Sequence, residues 1–180
     1  MSATIEDPWL SFLRDVDRAL SRPVVAHCLG GFVLAVLWGL PRPTGDVDFI
    51  VVEPPEAASE LLDIAGEESE LPSRYKLHFH RVAGAEYPEG YLSRLVSITP
   101  NGFKRLRLMA LEVHDLVLAK LGRNSPRDRS DVEFLAQKRV LDAGVLKERF
   151  ETELRPYVLN EARTKATLDL WLDEFLLSEG

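Results

Sequence analysis

The stretch CLGGFVLAVLWGLPRPTGDVDFIVV, residues 28–52, decides the reading of this chain. It opens with the pair Gly30 and Gly31, runs through an apolar segment at residues 32–38, and passes Gly39 and a proline-containing loop. It closes on Asp46, Val47 and Asp48, followed by Phe49, Ile50, Val51 and Val52. The closing segment is strand-like. Successive strand side chains point to opposite faces, so Asp46 and Asp48 share one face about 7 Å apart. Aspartate is disfavoured in strands and two on one face repel, so the pair destabilises the sheet unless a cation or an open edge relieves it. Two carboxylates at that spacing can converge on one hard cation. Glycine where a strand gives way to a helix lets backbone amides approach a ligand, and amides at a helix start attract phosphate, although the same pair also serves a plain tight turn.

Upstream, residues 24–29 read as a short buried strand. A helix precedes it, with Asp7 as N-cap, Pro8 at the first helical position, and Trp9, Phe12, Leu13, Val16 and Leu20 at helical spacing. The apolar run at 32–38 reads as a buried short helix ended by Gly39. Downstream, Pro54 and Pro55 lead into a helix at 56–66, followed by an acidic loop through Ser73. A strand is expected at 75–82, with Leu77 and Phe79 on one face and His78 and His80 on the other, then short strands at 95–98 and 106–111. From Glu112 the pattern turns helical: Val113, Leu116, Val117 and Leu121 fit one helix, and Val132, Leu135, Ala136 and Val140 fit another. Leu168, Trp171, Leu172, Phe175 and Leu176 form the apolar stripe of a last helix, which packs against the body or a partner. The expected class is α/β (α+β): a small mixed sheet with helices over residues 1–111, and a helical C-terminal part, residues 112–180, docked on it.

The chain has 180 residues, 46% of them hydrophobic, enough for one substantial core with a lobe added. Its formal net charge of −7 argues against broad nucleic-acid binding by counterion release and leaves room for a local basic patch. Cys28 is the single cysteine, so no internal disulfide can form. The N-terminal residues lack the basic start and apolar core of a signal peptide, and no run reaches the roughly 18 apolar residues of a membrane span. A cytoplasmic location and no membrane partner are expected.

Taken together, Gly30, Gly31, the short helix and Asp46-x-Asp48 resemble the active-site signature of the polymerase-β-like nucleotidyltransferase superfamily. Arg42-Pro43-Thr44 ahead of the aspartates is similar to the Arg-x-Thr-x-Asp-x-Asp variant of small bacterial AbiEii-toxin-like and DUF6036-like members. A later block, HDLVLAKLGRNSPRDRSDVEFL at residues 114–135, is similar to one where those families carry Lys-x-x-Arg on a helix and Asp-x-x-Asp at the start of the next. The matching residues are Lys120, Arg123, Asp128 and Asp131. Lys120 and Arg123 are three apart and share a helix face, which suits a triphosphate, while Asp128 and Asp131 orient those cations or cap the following helix.

The resemblance implies a nucleotidyltransferase core and a Mg²⁺-dependent enzyme, with Mn²⁺ as the alternative ion. Asp46 and Asp48 would be catalytic and hold the metal, and Gly30, Gly31, Arg42, Thr44, Lys120 and Arg123 would bind ATP or another nucleoside triphosphate. A nucleoside monophosphate would pass to an RNA such as a tRNA, to a protein side chain or to a small molecule. The toxin-like relatives imply a bacterial toxin–antitoxin pair and an antitoxin partner, and the C-terminal helix offers a route to an oligomer. Such families usually supply a third carboxylate from a later strand. Here residues 75–82 offer His78 and His80 instead, with Glu112 as a substitute acid. The alternative is a nucleotidyltransferase-fold module that binds a nucleotide or a protein without catalysis.

Overall fold

The computed structural model describes residues 5–177, which cluster into two compact units. The described residues up to Ala83, together with Leu95–Ala110, form a sheet unit; Gly84–Arg94 and the described residues from Leu111 onward form a helical unit. The segment 84–94 lies in the sequence between sheet strands, yet it belongs with the helices. The reason is ionic: Arg94 and the Gly90 amide both bond to Glu153.

The sheet unit opens with α1 (Trp9–Ala19), which buries Phe12, Leu13 and Val16. It begins one residue later than the sequence suggests, with Pro8 at the cap position. Asp7 still serves the helix start, accepting from the Ser11 amide at 2.9 Å and from the Ser11 hydroxyl at 2.6 Å. Strand β1 (Val24–Leu29) runs into α2 (Gly30–Trp38), and β2 (Asp46–Glu53) returns antiparallel to β1. After α3 (Ala57–Ala65) and α4 (Glu70–Tyr75) come β3 (His78–Arg81), β4 (Val96–Ser97) and β5 (Leu106–Ala110). The sheet order is β3-β2-β1-β5-β4. It is mixed: β1 runs parallel to β5 and β2 parallel to β3, while β4 is antiparallel to β5.

Period-two alternation fixes which way the strands face. Val47 and Phe49 of β2 and Phe79 of β3 are buried, and Phe12 of α1 packs on Phe79 with ring centroids 6.0 Å apart. Asp46, Asp48 and His80 occupy the opposite alternation. A buried carboxylate ties α1 to the sheet: Asp17 accepts from the amides of Lys104, Arg105 and Leu106 just where β5 begins.

Several expectations change. The acidic loop contains α4, because Pro72 falls in the helix's first turn, where its missing amide costs nothing, and Lys76 closes the helix in a left-handed conformation at φ 58°. Tyr75 therefore ends a helix, and the following strand shortens to β3. Gly30 and Gly31 are the first two residues of α2 itself rather than a turn before it. Only Phe32, Val33 and Leu34 of α2 are fully buried; the rest of its apolar run is half-buried.

The helical unit holds α5 (Val113–Leu118), α6 (Pro126–Gln137), α7 (Ala143–Arg149) and α8 (Glu161–Trp171). Helix α5 ends at Leu118, so Lys120, Leu121 and Arg123 lie in the turn after it rather than on one helix face as expected, and Val140 lies beyond α6, which cannot continue through Arg139 at φ 56°. Helix α8 extends as a π-helical segment, Leu172–Leu176. Leu168, Trp171 and Leu172 are buried within this unit, and Arg129 of α6 lies over the Phe175 ring. Trp171 is only 1% exposed and packs inward, while Phe175 and Leu176 at the end of the stripe are half-buried. Among the described residues, no helix is long and apolar enough to cross a membrane.

Candidate functional site

The polar face of β2 and β3 gathers most of the residues singled out in the sequence. Asp46 and Asp48 are half-buried on β2, and the parallel register sets His78 beside Asp46 and His80 beside Asp48. The Nδ1 of His80 lies 2.9 Å from Oδ1 of Asp48. On the other side, the Thr44 hydroxyl donates to Oδ1 of Asp46 at 2.8 Å, fixing that carboxylate from the loop before the strand. One ligand atom from each of Asp46, Asp48 and His80 lies within 4.8 Å of the others.

The start of α2 closes the other side of this cluster. A Cβ on Gly30 would lie 2.3 Å from Oδ2 of Asp48, and Gly30 also sits at φ 84°, so any other residue would strain the backbone and push the Asp48 carboxylate aside. A Cβ on Gly31 would meet the Thr44 hydroxyl at 3.3 Å and the Arg42 guanidinium at 3.4 Å. Gly30, Gly31, Arg42, Thr44, Asp46 and Asp48 are therefore one constellation. His80 joins it.

The donor set fits a divalent cation. Two ligands held about 2.1 Å from one ion at right angles are about 3 Å apart, the separation already present between His80 and Asp48. Asp48's charge also reaches into the sheet: burial first, and then that carboxylate, push the Cys28 thiol well above its usual range. Cys28 and His27 are both buried on β1, as their place in an apolar strand implies.

The second block folds as a self-contained ionic cluster in the helical unit. Lys120 is 6% exposed, and its ammonium donates to Asp128 at 3.2 Å and to Asp131 at 2.9 Å. Arg123 donates from Nε to Asp128 at 2.7 Å and keeps a largely exposed side chain. Asp128 also completes a capping box with Ser125 at the start of α6. Burial would raise the Asp128 carboxyl, but the Arg123 hydrogen bond and the Lys120 charge outweigh it and hold it well below the usual carboxylate range.

Glu112, the candidate substitute acid, is spoken for in the same unit. It caps α5, accepts from the His114 amide at 3.1 Å, and pairs with Arg149. Burial works to raise its pKa, yet the hydrogen bonds from His114 and Arg149 bring it down to about 2. Sequence reasoning missed the rest of this network. Arg94 grips the fully buried Asp115 with two hydrogen bonds of 2.9 and 3.0 Å and also bonds to Glu153, residues 21 and 59 positions away in the chain. No local spacing signals such pairs.

The sequence matches the family described as "Nucleotidyltransferase of unknown function (DUF6036)" over residues 14–174. No curated protein matches it. Among solved structures, one described as "Crystal structure of putative nucleotidyltransferase from H. pylori" is 15% identical, with a TM-score of 0.34, over 98% of this chain and 100% of that one. The family match takes in both the aspartate constellation and the later lysine block, and the chain accordingly belongs to the DUF6036 family of nucleotidyltransferases.

Proposed function

We propose that the protein is a metal-dependent enzyme that moves a nucleoside monophosphate from a nucleoside triphosphate to an acceptor hydroxyl. The observation that supports it is the convergence of Asp46, Asp48 and His80 against the glycine start of α2. In the reaction, the acceptor oxygen forms a bond to the α-phosphorus as the bond to the β-phosphate oxygen breaks. Pyrophosphate leaves with that electron pair, and the acceptor's proton passes to solvent. A Mg²⁺ or Mn²⁺ ion held by Asp46 and Asp48 would supply neutralisation of phosphate charge. Around it the chain orients and binds: Thr44 fixes the Asp46 carboxylate, the glycines keep the start of α2 bare of side chains, and Arg42 offers a guanidinium beside Gly31 to phosphate oxygens.

The finer parts of the proposal come from the motifs. Lys120 and Arg123 are assigned to the triphosphate on the order of the motifs, and a phosphate would compete there with Asp128 and Asp131 for both cations. The acceptor is an RNA such as a tRNA, a protein side chain or a small molecule, and the setting is a cytoplasmic bacterial toxin with an antitoxin partner. Incubation with each labelled nucleoside triphosphate, Mg²⁺ or Mn²⁺, and cellular RNA or lysate should transfer label to one of these acceptors. Asp46→Asn with Asp48→Asn should abolish the transfer. Failure with all four nucleotides under both ions overturns the proposal.

A second reading, a nucleotide-binding module without turnover, is favoured by one observation: an imidazole stands where a third carboxylate is expected. Calorimetric binding of a triphosphate without a divalent ion and without transfer would support it.

A further inference from the structure

The donor atoms at this site also carry information about which ion they suit. We propose that His80 is the third protein ligand beside Asp46 and Asp48, and that this set of two carboxylates and one imidazole selects a first-row transition ion such as Mn²⁺ over Mg²⁺. The proposal rests on the nucleotidyltransferase reading of the site and adds to it the identity of the metal.

Three features support it. First, the backbone delivers the imidazole: β3 runs parallel to β2 with His80 in register with Asp48, and the register is anchored because Val47 and Phe79 are both buried on the other face. Second, His80 Nδ1 and Asp48 Oδ1 are 2.9 Å apart, the spacing of neighbouring ligands on one small ion, and Asp46 completes a set within 4.8 Å. Third, burial does not explain this histidine. Its side chain is 55% exposed, it fills no core space, and a hydrogen bond from an exposed imidazole to a carboxylate contributes little stability by itself.

The chemistry then decides between ions. Mg²⁺ demands near-ideal octahedral oxygen coordination and releases its waters reluctantly. A neutral imidazole nitrogen is a softer donor and raises affinity along the first-row series, so replacing a carboxylate by His80 lowers both the site's negative charge and its preference for the hard ion. An aspartate at position 80 should restore that preference.

The test uses the full-length protein with MnCl₂ and MgCl₂ as probes. Calorimetric titration is expected to give Mn²⁺ binding at least about tenfold tighter than Mg²⁺. The electron-spin-echo spectrum of the Mn²⁺-loaded protein is expected to show modulation from a directly bound nitrogen. His80→Asp, at an exposed position that leaves the core intact, should still bind an ion while losing the nitrogen modulation and most of the preference. If Asp48→Asn abolishes Mn²⁺ binding but the wild-type spectrum shows no bound nitrogen, or the preference survives His80→Asp, the role of His80 is overturned and the aspartate site stands. If the wild type binds neither ion, the His80 proposal falls outright, and the label-transfer experiment decides separately on the nucleotidyltransferase reading.

Discussion

On the sheet, Asp46 and Asp48 stand side by side with a threonine hydroxyl and an imidazole against them; in the helical unit, Lys120 and Arg123 meet Asp128 and Asp131. The second cluster joins opposite charges in a geometry that includes a helix cap, so its formation is its own compensation. The first places like charges on one strand face, with a threonine hydroxyl, an imidazole and the Arg42 guanidinium gathered near them. The contrast teaches that carboxylate count alone does not mark a site: one pair is built into the start of a helix with opposite charges, while the other is gathered on a strand face beside the bare glycine start of α2.

The sharpest way to break the comparison is to remove Asp128. Asp128→Ala removes the N3 half of the capping box at the start of α6 while Ser125 keeps its own cap bond, and it leaves Lys120 buried with one carboxylate fewer, so denaturant unfolding should show a loss of about 3–5 kcal/mol. A stability near wild type together with weakened triphosphate binding would show that the cluster serves the ligand and not the scaffold.

Acid should act on the helical network next. The Glu112 pKa is depressed from 4.5 to about 2 in the folded protein. Its contribution is therefore complete above pH 4.5 and is lost as the pH falls through 2, amounting to roughly 3 kcal/mol over that window. Melting curves between these pH values should fall less steeply for Glu112→Gln than for wild type. Equal slopes would show that Glu112 has no special place in the folded state.

Asp48→Asn sharpens the other side of the comparison. Transfer activity should drop roughly a hundredfold or more, as expected when a metal ligand is lost, while the melting temperature holds because relief of the like-charge contact offsets the weaker bond to His80. A lower melting temperature would mean that the aspartate pair contributes to the fold after all. The smallest effect is expected at Gly30→Ala. There a strained backbone at φ 84° and a clash with Oδ2 of Asp48 should lower stability by about 1–2 kcal/mol. Activity should fall more than that, because the carboxylate must move to make room.

Much of the fold around the site was legible because its signals are local. Residues 24–29 and the strand carrying Asp46 and Asp48 emerge where alternation and glycine punctuation put them, and Gly39 ends α2 in the left-handed conformation that favours glycine. Helix α4 was hidden by its brevity and by Pro72, which reads as a breaker unless its place in the first turn is known. The partnership of His80 with Asp48 needed the pairing of β2 with β3, 32 residues apart in the chain, which no local pattern carries. The same limit hid Asp17, whose three amide partners begin 87 residues later.

Cys28 gives the sheet a property that can be used at the bench. It is the chain's single cysteine and is fully buried on the central strand β1, and its thiol is driven far from ionisation by burial and by Asp48. An alkylating reagent attacks the thiolate, so it has no target until β1 leaves its neighbours. The native protein thus carries its own stopwatch for sheet opening. The rate at which a thiol-directed label appears in the mass spectrum counts those openings without a probe being introduced, and slowing of that rate by an added ion would report occupancy on the far side of the same strand pair.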